Sequence, residues 1–242
     1  MTKRFPKMSP KRLARLTGVF YLVTIVAAII AQGVIAERLV NSRDASVTAA
    51  NITAHADLFR FGFTMYMIEM VAQTIMTMLF YQLLKPVSRT GALIAAVIGV
   101  VGCGIKALSR LFFVAPAIVL EGSQYLNTFS AQQLHSLALL FYELNEMGAA
   151  IAVVFFGFST LITGWLIIRS TYLPRVLGWF ALVGGIGWLS CLWPPLGYRL
   201  NLYIAAVGLL GSLATIVWLI AFGVNEERWT VQARAAEASI WR

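Results

Sequence analysis

The chain has 242 residues, of which 60% are hydrophobic and only 12% are charged, with a mean hydropathy of +0.79. Soluble domains carry about 25% charged and about 45–50% apolar residues, so these charges are too few to cover a water-exposed surface. The same figures exclude a disordered chain. The formal charge of +9 reflects how basic residues are sorted between connectors, described below, and no nucleic-acid partner is expected.

Crossing a bilayer takes about 20 apolar residues, and six runs qualify, at roughly 16–36, 61–84, 92–115, 137–168, 176–193 and 200–224. Lipid offers the backbone no hydrogen bonds, so the runs are expected to be helices, and the alternating segments of a β-barrel are absent. The predicted fold is all-α: a polytopic membrane bundle of six transmembrane helices. One domain is expected over 1–225, with a polar, frayed or surface-bound tail over 226–242.

In chain order, the first run follows a basic segment and ends at Val34-Ile35-Ala36, which has the form of a cleavage site. Its apolar core of about 20 residues exceeds the 7–15 of a signal peptide, so an uncleaved helix is expected. In the connector from Glu37 to Arg60, Asp44 is positioned to cap a short helix through Ile52. Ser130-Ala131-Gln132-Gln133 has the capping-box pattern and starts a helix that runs into the fourth span. Pro174 and Pro194-Pro195 mark breaks between spans. Arg15-Leu16-Thr17-Gly18 is echoed by Arg175-Val176-Leu177-Gly178. Either this is a duplication, as in transporters built from repeats, or each helix start needs a basic anchor and a small packing residue; the second reading is preferred. Cys103 and Cys191 read as packing residues, and Trp193, Tyr198 and Trp229 as interfacial belt.

Basic residues set orientation. Lys3, Arg4, Lys7, Lys11, Arg12, Arg15, Lys85, Arg89, Arg169, Arg175, Arg228, Arg234 and Arg242 fall on one side, against Arg38, Arg43, Arg60 and Arg199 on the other. Both termini are therefore expected in the cytoplasm.

Five charged residues fall in or near spans: Glu69, Lys106, Arg110, Glu143 and Glu146. Each costs about 2.5–3.5 kcal/mol to place in a membrane. At about 1.5 Å per residue all five converge on the outer third of the bundle. Tyr66, Glu69 and Gln73 share one helical face, Lys106 and Arg110 are one turn apart, and Glu143 and Glu146 are three residues apart. Three carboxylates against two cations leave one glutamate without a partner, and an unpaired carboxyl away from water holds its proton. Glu69, Glu143 and Glu146 are thus candidate catalytic residues, acting as proton donors. Tyr66, Gln73, Lys106, Arg110 and Asn145 are candidate ligand-binding residues. The competing reading is that the charges pair structurally or reach the headgroups from the rim. His55 and His135, without nearby cysteines, are not read as a metal site, and no cofactor is expected. Phosphate loop, nucleotide fingerprint and serine elbow are all missing.

Several blocks together carry a resemblance: Arg15 to Leu22, Asp44-Ala45 with Thr48 to Ile52, Leu58 to Gly62, Tyr81 to Val87, Phe155-Phe156-Gly157, and Tyr172 to Gly178. Their order and spacing over about residues 10–225 resemble the bacterial membrane-protein family known as domain of unknown function 4386. The resemblance implies a compact multi-pass protein of a bacterial cytoplasmic (inner) membrane and brings no reaction with it. Against the family's pattern, Asn145 and Ser159 stand where members carry histidines, Tyr66 where an aspartate occurs and Gly99 where an arginine occurs. Glu69, Lys106 and Arg110 depart from the pattern in the other direction. Histidine-based metal or haem chemistry is therefore not expected of this chain.

The functional expectation is an outward-facing charged pocket that binds a lipid-like or small apolar molecule. In an enzymatic version it transforms that molecule by acid-initiated isomerisation or cyclisation. The alternative is a non-catalytic subunit whose intramembrane charges pair with a protein partner or a second copy of the chain; a transporter is third.

Overall fold

The structure, a computed structural model, describes residues 8–122 and 124–239. Lys3, Arg4, Lys7 and Arg242, and the side chain of Tyr198, lie outside the described residues. The chain forms helices α1 (Pro10–Leu39), α2 (Ala45–Ala54), α3 (Ala56–Leu84), α4 (Arg89–Leu120), α5 (Ala131–Arg169), α6 (Arg175–Leu189), α7 (Pro194–Ala221) and α8 (Glu226–Ser239). Among the described residues there is no strand, and six helical segments are long and apolar enough to cross a membrane: α1, α3, α4, α5, α6 with the 3-10 turn that extends it to Leu192, and Leu202–Ala221 of α7. The helices overrun the apolar runs: α5 has 39 residues, about 58 Å at 1.5 Å per residue, well beyond a hydrocarbon core of about 30 Å.

The surface is inverted relative to a soluble protein. On α4, Leu108 and Leu111 are 65% and 68% exposed, while Arg110 between them is 1% exposed. Such a pattern is stable only where the surrounding solvent is itself apolar.

Local signals form as the residues dictate. The Asp44 carboxylate accepts from the N–H groups of Ser46 and Val47 and opens α2. Ser130 and Gln133 close a reciprocal capping box before α5, Ser130 N–H donating to Gln133 Oε1 at 2.8 Å and Gln133 N–H to Ser130 Oγ at 3.3 Å. Within α1, Ile29–Ala36 is π-helical, and the Glu37 N–H reaches back five residues to the Gln32 carbonyl.

The chain divides into two compact units. The first comprises Met1–Leu22 (described from Met8), Gln73–Gly102 and Val153–Arg242. Its core gathers Ala14, Leu83, Leu84, Ala92, Leu166, Leu177 and Leu219. The echoed glycines act here as packing residues: a Cβ on Gly18 would lie 2.8 Å from the Ile220 side chain, and one on Gly178 only 2.6 Å from the Gly164 carbonyl oxygen. The segment after Asn225 is a bound helix and not a frayed tail. Trp229 Nε1–H and the Tyr172 hydroxyl both donate to the Leu83 carbonyl, at 3.0 and 2.7 Å. Gln232 Oε1 accepts from the N–H and hydroxyl of Thr171.

The second unit comprises Val23–Ala72 and Cys103–Ala152. Ile35 and Leu39 of α1, Ile52 of α2, Phe59 and Tyr66 of α3, Phe113 of α4 and Tyr142 of α5 form its core. Phe113 stacks on Phe59 with centroids 4.4 Å apart and meets Tyr66 edge-on at 5.0 Å, arrangements that add about 0.5–1.5 kcal/mol each beyond burial.

Candidate functional site

The second unit brings together most of the polar side chains expected in the site. On α3, Tyr66 and Glu69 are one turn apart and both buried. On α4, Lys106 and Arg110 are likewise one turn apart, and the Ser109 hydroxyl bonds back to the Lys106 carbonyl at 2.7 Å. On α5 the inward positions are Ala138, Tyr142, Asn145 and Ala152, all buried, at the spacing of one helical face. Gly148 lets α5 approach α4 closely, since a Cβ there would lie 2.6 Å from the Ser109 Cβ.

Two polar chains run through this cluster. Lys106 Nζ pairs with Glu69 Oε1 at 2.5 Å. Arg110 Nη1 donates to Asn145 Oδ1 at 2.8 Å, and Asn145 Nδ2 donates to Glu146 Oε1 at 3.0 Å. The Arg110 guanidinium also lies over the Tyr66 ring, 3.7 Å from its centroid. The Tyr66 hydroxyl donates to Gln32 Oε1 from the π-helical segment of α1. The Tyr142 hydroxyl is in hydrogen-bond contact with both Gln32 and Glu146. Away from water such contacts are strong, and a missing partner is correspondingly costly. Two atoms lack one: Glu69 Oε2 and Arg110 Nε are buried with no hydrogen-bond partner in the protein.

Glu143 does not join the cluster. It stands exposed on α5, because a position next to Tyr142 and two before Asn145 is turned away from the face those residues define. Gln73 belongs to the first unit, where it is half-buried and its carbonyl accepts from the Thr77 hydroxyl. The enclosed charges are therefore Glu69 and Glu146 against Lys106 and Arg110, two of each sign, and the surplus carboxylate expected from the sequence is not enclosed.

Gln32 and Tyr142 are the members that sequence reasoning missed. Tyr142 carries a legible signal, being three and four residues before Asn145 and Glu146. Gln32 carries none, because the π-helical turn displaces it from the 3.6-residue register by which faces are read. His55 and His135 lie apart from the cluster in their bonding: His55 Nδ1 contacts the Asn51 carbonyl and His135 Nδ1 the Ser46 hydroxyl.

An all-helical, multi-pass bundle with a charged cluster inside one unit defines a polytopic membrane protein. A family model described as "Domain of unknown function (DUF4386)" matches residues 16–223, and the chain belongs to that family. No curated protein and no solved structure matches the chain.

Proposed function

We propose that the chain is a multi-pass protein of a bacterial cytoplasmic membrane, with both termini inside, whose charged cluster binds the polar end of a lipid-like or small apolar molecule from the outer side. The observation that carries this reading is the pair of unmet atoms, Glu69 Oε2 and Arg110 Nε. One accepts and one donates, and both are buried in a cluster whose other contacts are made. Leaving a buried polar group without a partner costs about 1–3 kcal/mol, and more for a charged one. A ligand bearing a hydroxyl or amide supplies what each atom lacks. Tyr66, Asn145, Lys106 and Glu146 then position that group.

Binding is favoured over acid-initiated isomerisation or cyclisation, because the enclosed charges match in number and leave no surplus carboxylate. The partner-subunit reading has the Lys106–Glu69 pair in its favour, since a short buried ion pair fixes helix register without any ligand. The transporter reading gains only the π-helical stretch of α1, whose backbone bonds stay within the helix.

Native mass spectrometry of the mildly extracted protein, with lipid extraction of what travels with it, tests the proposal. A specific small molecule on the wild type, lost in Glu69→Gln and Lys106→Ala variants that still fold, is the expected result. A ligand-free protein in which Glu69→Gln lowers only stability would overturn it in favour of a structural pair. A stoichiometric second polypeptide would favour the partner reading.

A further inference from the structure

The first unit holds a cavity of about 90 Å³ that is partly open. Its polar lining among the described residues is Tyr21, Thr77, Tyr81, Ser159, Thr160, Thr163 and Thr215, with no Asp, Glu, Lys, Arg or His. Three of these hydroxyl protons are committed. Ser159 donates to the Ala95 carbonyl, Thr77 to that of Gln73 and Thr215 to that of Gly211, each at 2.8 Å. Tyr21 and Ser212 bond to each other at 2.7 Å. A hydroxyl that has spent its proton on a carbonyl still has lone pairs to offer. The cavity therefore offers lone pairs on its committed hydroxyls, leaves those of Tyr81, Thr160 and Thr163 able to donate, and carries no charge, and Met76 and Phe80 give it apolar walls.

We infer that this cavity binds the hydroxyl end of an uncharged lipid alcohol, whose chain leaves through the opening. The chemistry selects each part of that occupant. A carboxylate or phosphate has no cation to meet. An ether has no proton to give the committed hydroxyls. An alkane leaves the acceptors unused. The space takes a head of a few heavy atoms and not a whole lipid. The competing occupant is water alone: at about 10–15 Å³ each, about six to nine molecules fit. The inference does not depend on the charged cluster, and a failed ligand search there leaves it untouched.

The test uses the full chain in lipid nanodiscs with three photoreactive probes that carry a diazirine near the polar end: hexadecanol, hexadecanoic acid and hexadecyl methyl ether. In the wild type the alcohol should label the segments 76–96 and 159–167 at least fivefold more than either control. The double variant Thr77→Val with Ser159→Ala keeps the shape and removes two acceptors, and it should cut labelling by the alcohol about fivefold. Ala96→Leu, which fills the space from another wall, should abolish it, with circular dichroism showing that the helices persist. Equal labelling by the three probes, labelling only of lipid-facing residues, or an alcohol preference that survives the double variant overturns the inference. Exclusively water in the cavity would appear as the second of these results.

Discussion

The two units handle the same difficulty, polar groups inside an apolar protein, in opposite ways. The second concentrates polarity in a few charged side chains, most of which meet a partner from a different helix: Lys106 of α4 meets Glu69 of α3, and Arg110 of α4 meets Asn145 of α5. The first spreads it over hydroxyls, several of which bond a carbonyl one turn back on their own helix, as Thr77 and Thr215 do. A hydroxyl satisfied by its own helix depends on nothing else and barely changes the energy of the assembly. A buried charge depends on every helix that supplies its partners. The second unit should therefore be brittle to polar substitutions and the first tolerant of them.

The sharpest way to break that contrast is Arg110→Met. It keeps an unbranched apolar stem but leaves Glu146 and Asn145 without their cation, and a loss of about 3–5 kcal/mol is expected in unfolding experiments in a fixed detergent. A loss below about 1 kcal/mol would mean that the cluster is hydrated and the contrast false. Next in size is the coupling between Lys106→Met and Glu69→Gln. Each alone strands a buried charge or dipole, so the double variant should be more stable than the sum of the two by about 1–3 kcal/mol in a double-mutant cycle. Additive effects would show that the two groups do not meet.

Packing, unlike polarity, should not distinguish the units. Gly148 in the second and Gly178 in the first both sit where an added Cβ would come within 2.6 Å of a neighbouring helix. Alanine at either should cost about 1–3 kcal/mol by overpacking. If only one proves sensitive, closeness of backbones and not charge sets the difference between the units. Smaller still, Thr77→Val or Thr215→Val should each change stability by about 1 kcal/mol or less, because the hydroxyl and its carbonyl leave a single local bond behind.

Much of this was legible from composition and spacing. Runs of about 20 apolar residues fixed the spans because lipid leaves the backbone no other choice, and Asp44 and Ser130 announced their helices because a cap is a local matter. Glu69, Lys106 and Arg110 stood out by their cost alone. Glu143 misled, since it and Glu146 share a spacing that fits a face, yet the inward face of α5 is set by Ala138, Tyr142 and Asn145, small or amphipathic residues that cost nothing and so attract no notice. The hydroxyls of the first-unit cavity were illegible for a related reason: each threonine is ordinary in a membrane helix, and only the fold brings them to one wall. α8 looked like a tail because most of its docking is made by polar groups meeting backbone, as Gln232 and Trp229 do, and no hydrophobic run records that.

The weakest expected effect concerns that docking, and it is a matter of pH. The Glu226 carboxylate accepts from the Lys11 backbone N–H at 3.1 Å, and this bond, followed by one from the Ser9 hydroxyl, holds its pKa below the ordinary 4.5. A carboxyl whose pKa is lower folded than unfolded favours the folded form only while it is ionised. The contribution is complete above about 4.5 and fades as pH falls through the depressed folded value, when the proton displaces the bonds to Lys11 and Ser9. The group is fully exposed, so solvent screens the effect and the helix should loosen without the bundle unfolding. Amide hydrogen exchange across Glu226–Ser239 should therefore quicken between about pH 5 and about pH 3 relative to α7, once corrected for the intrinsic pH dependence. In Glu226→Gln the excess should vanish, because an amide accepts at every pH. Quickening that persists in the glutamine variant would move the sensitivity to another group. No change in either protein would mean that Trp229 and Gln232 hold α8 without help from the carboxylate.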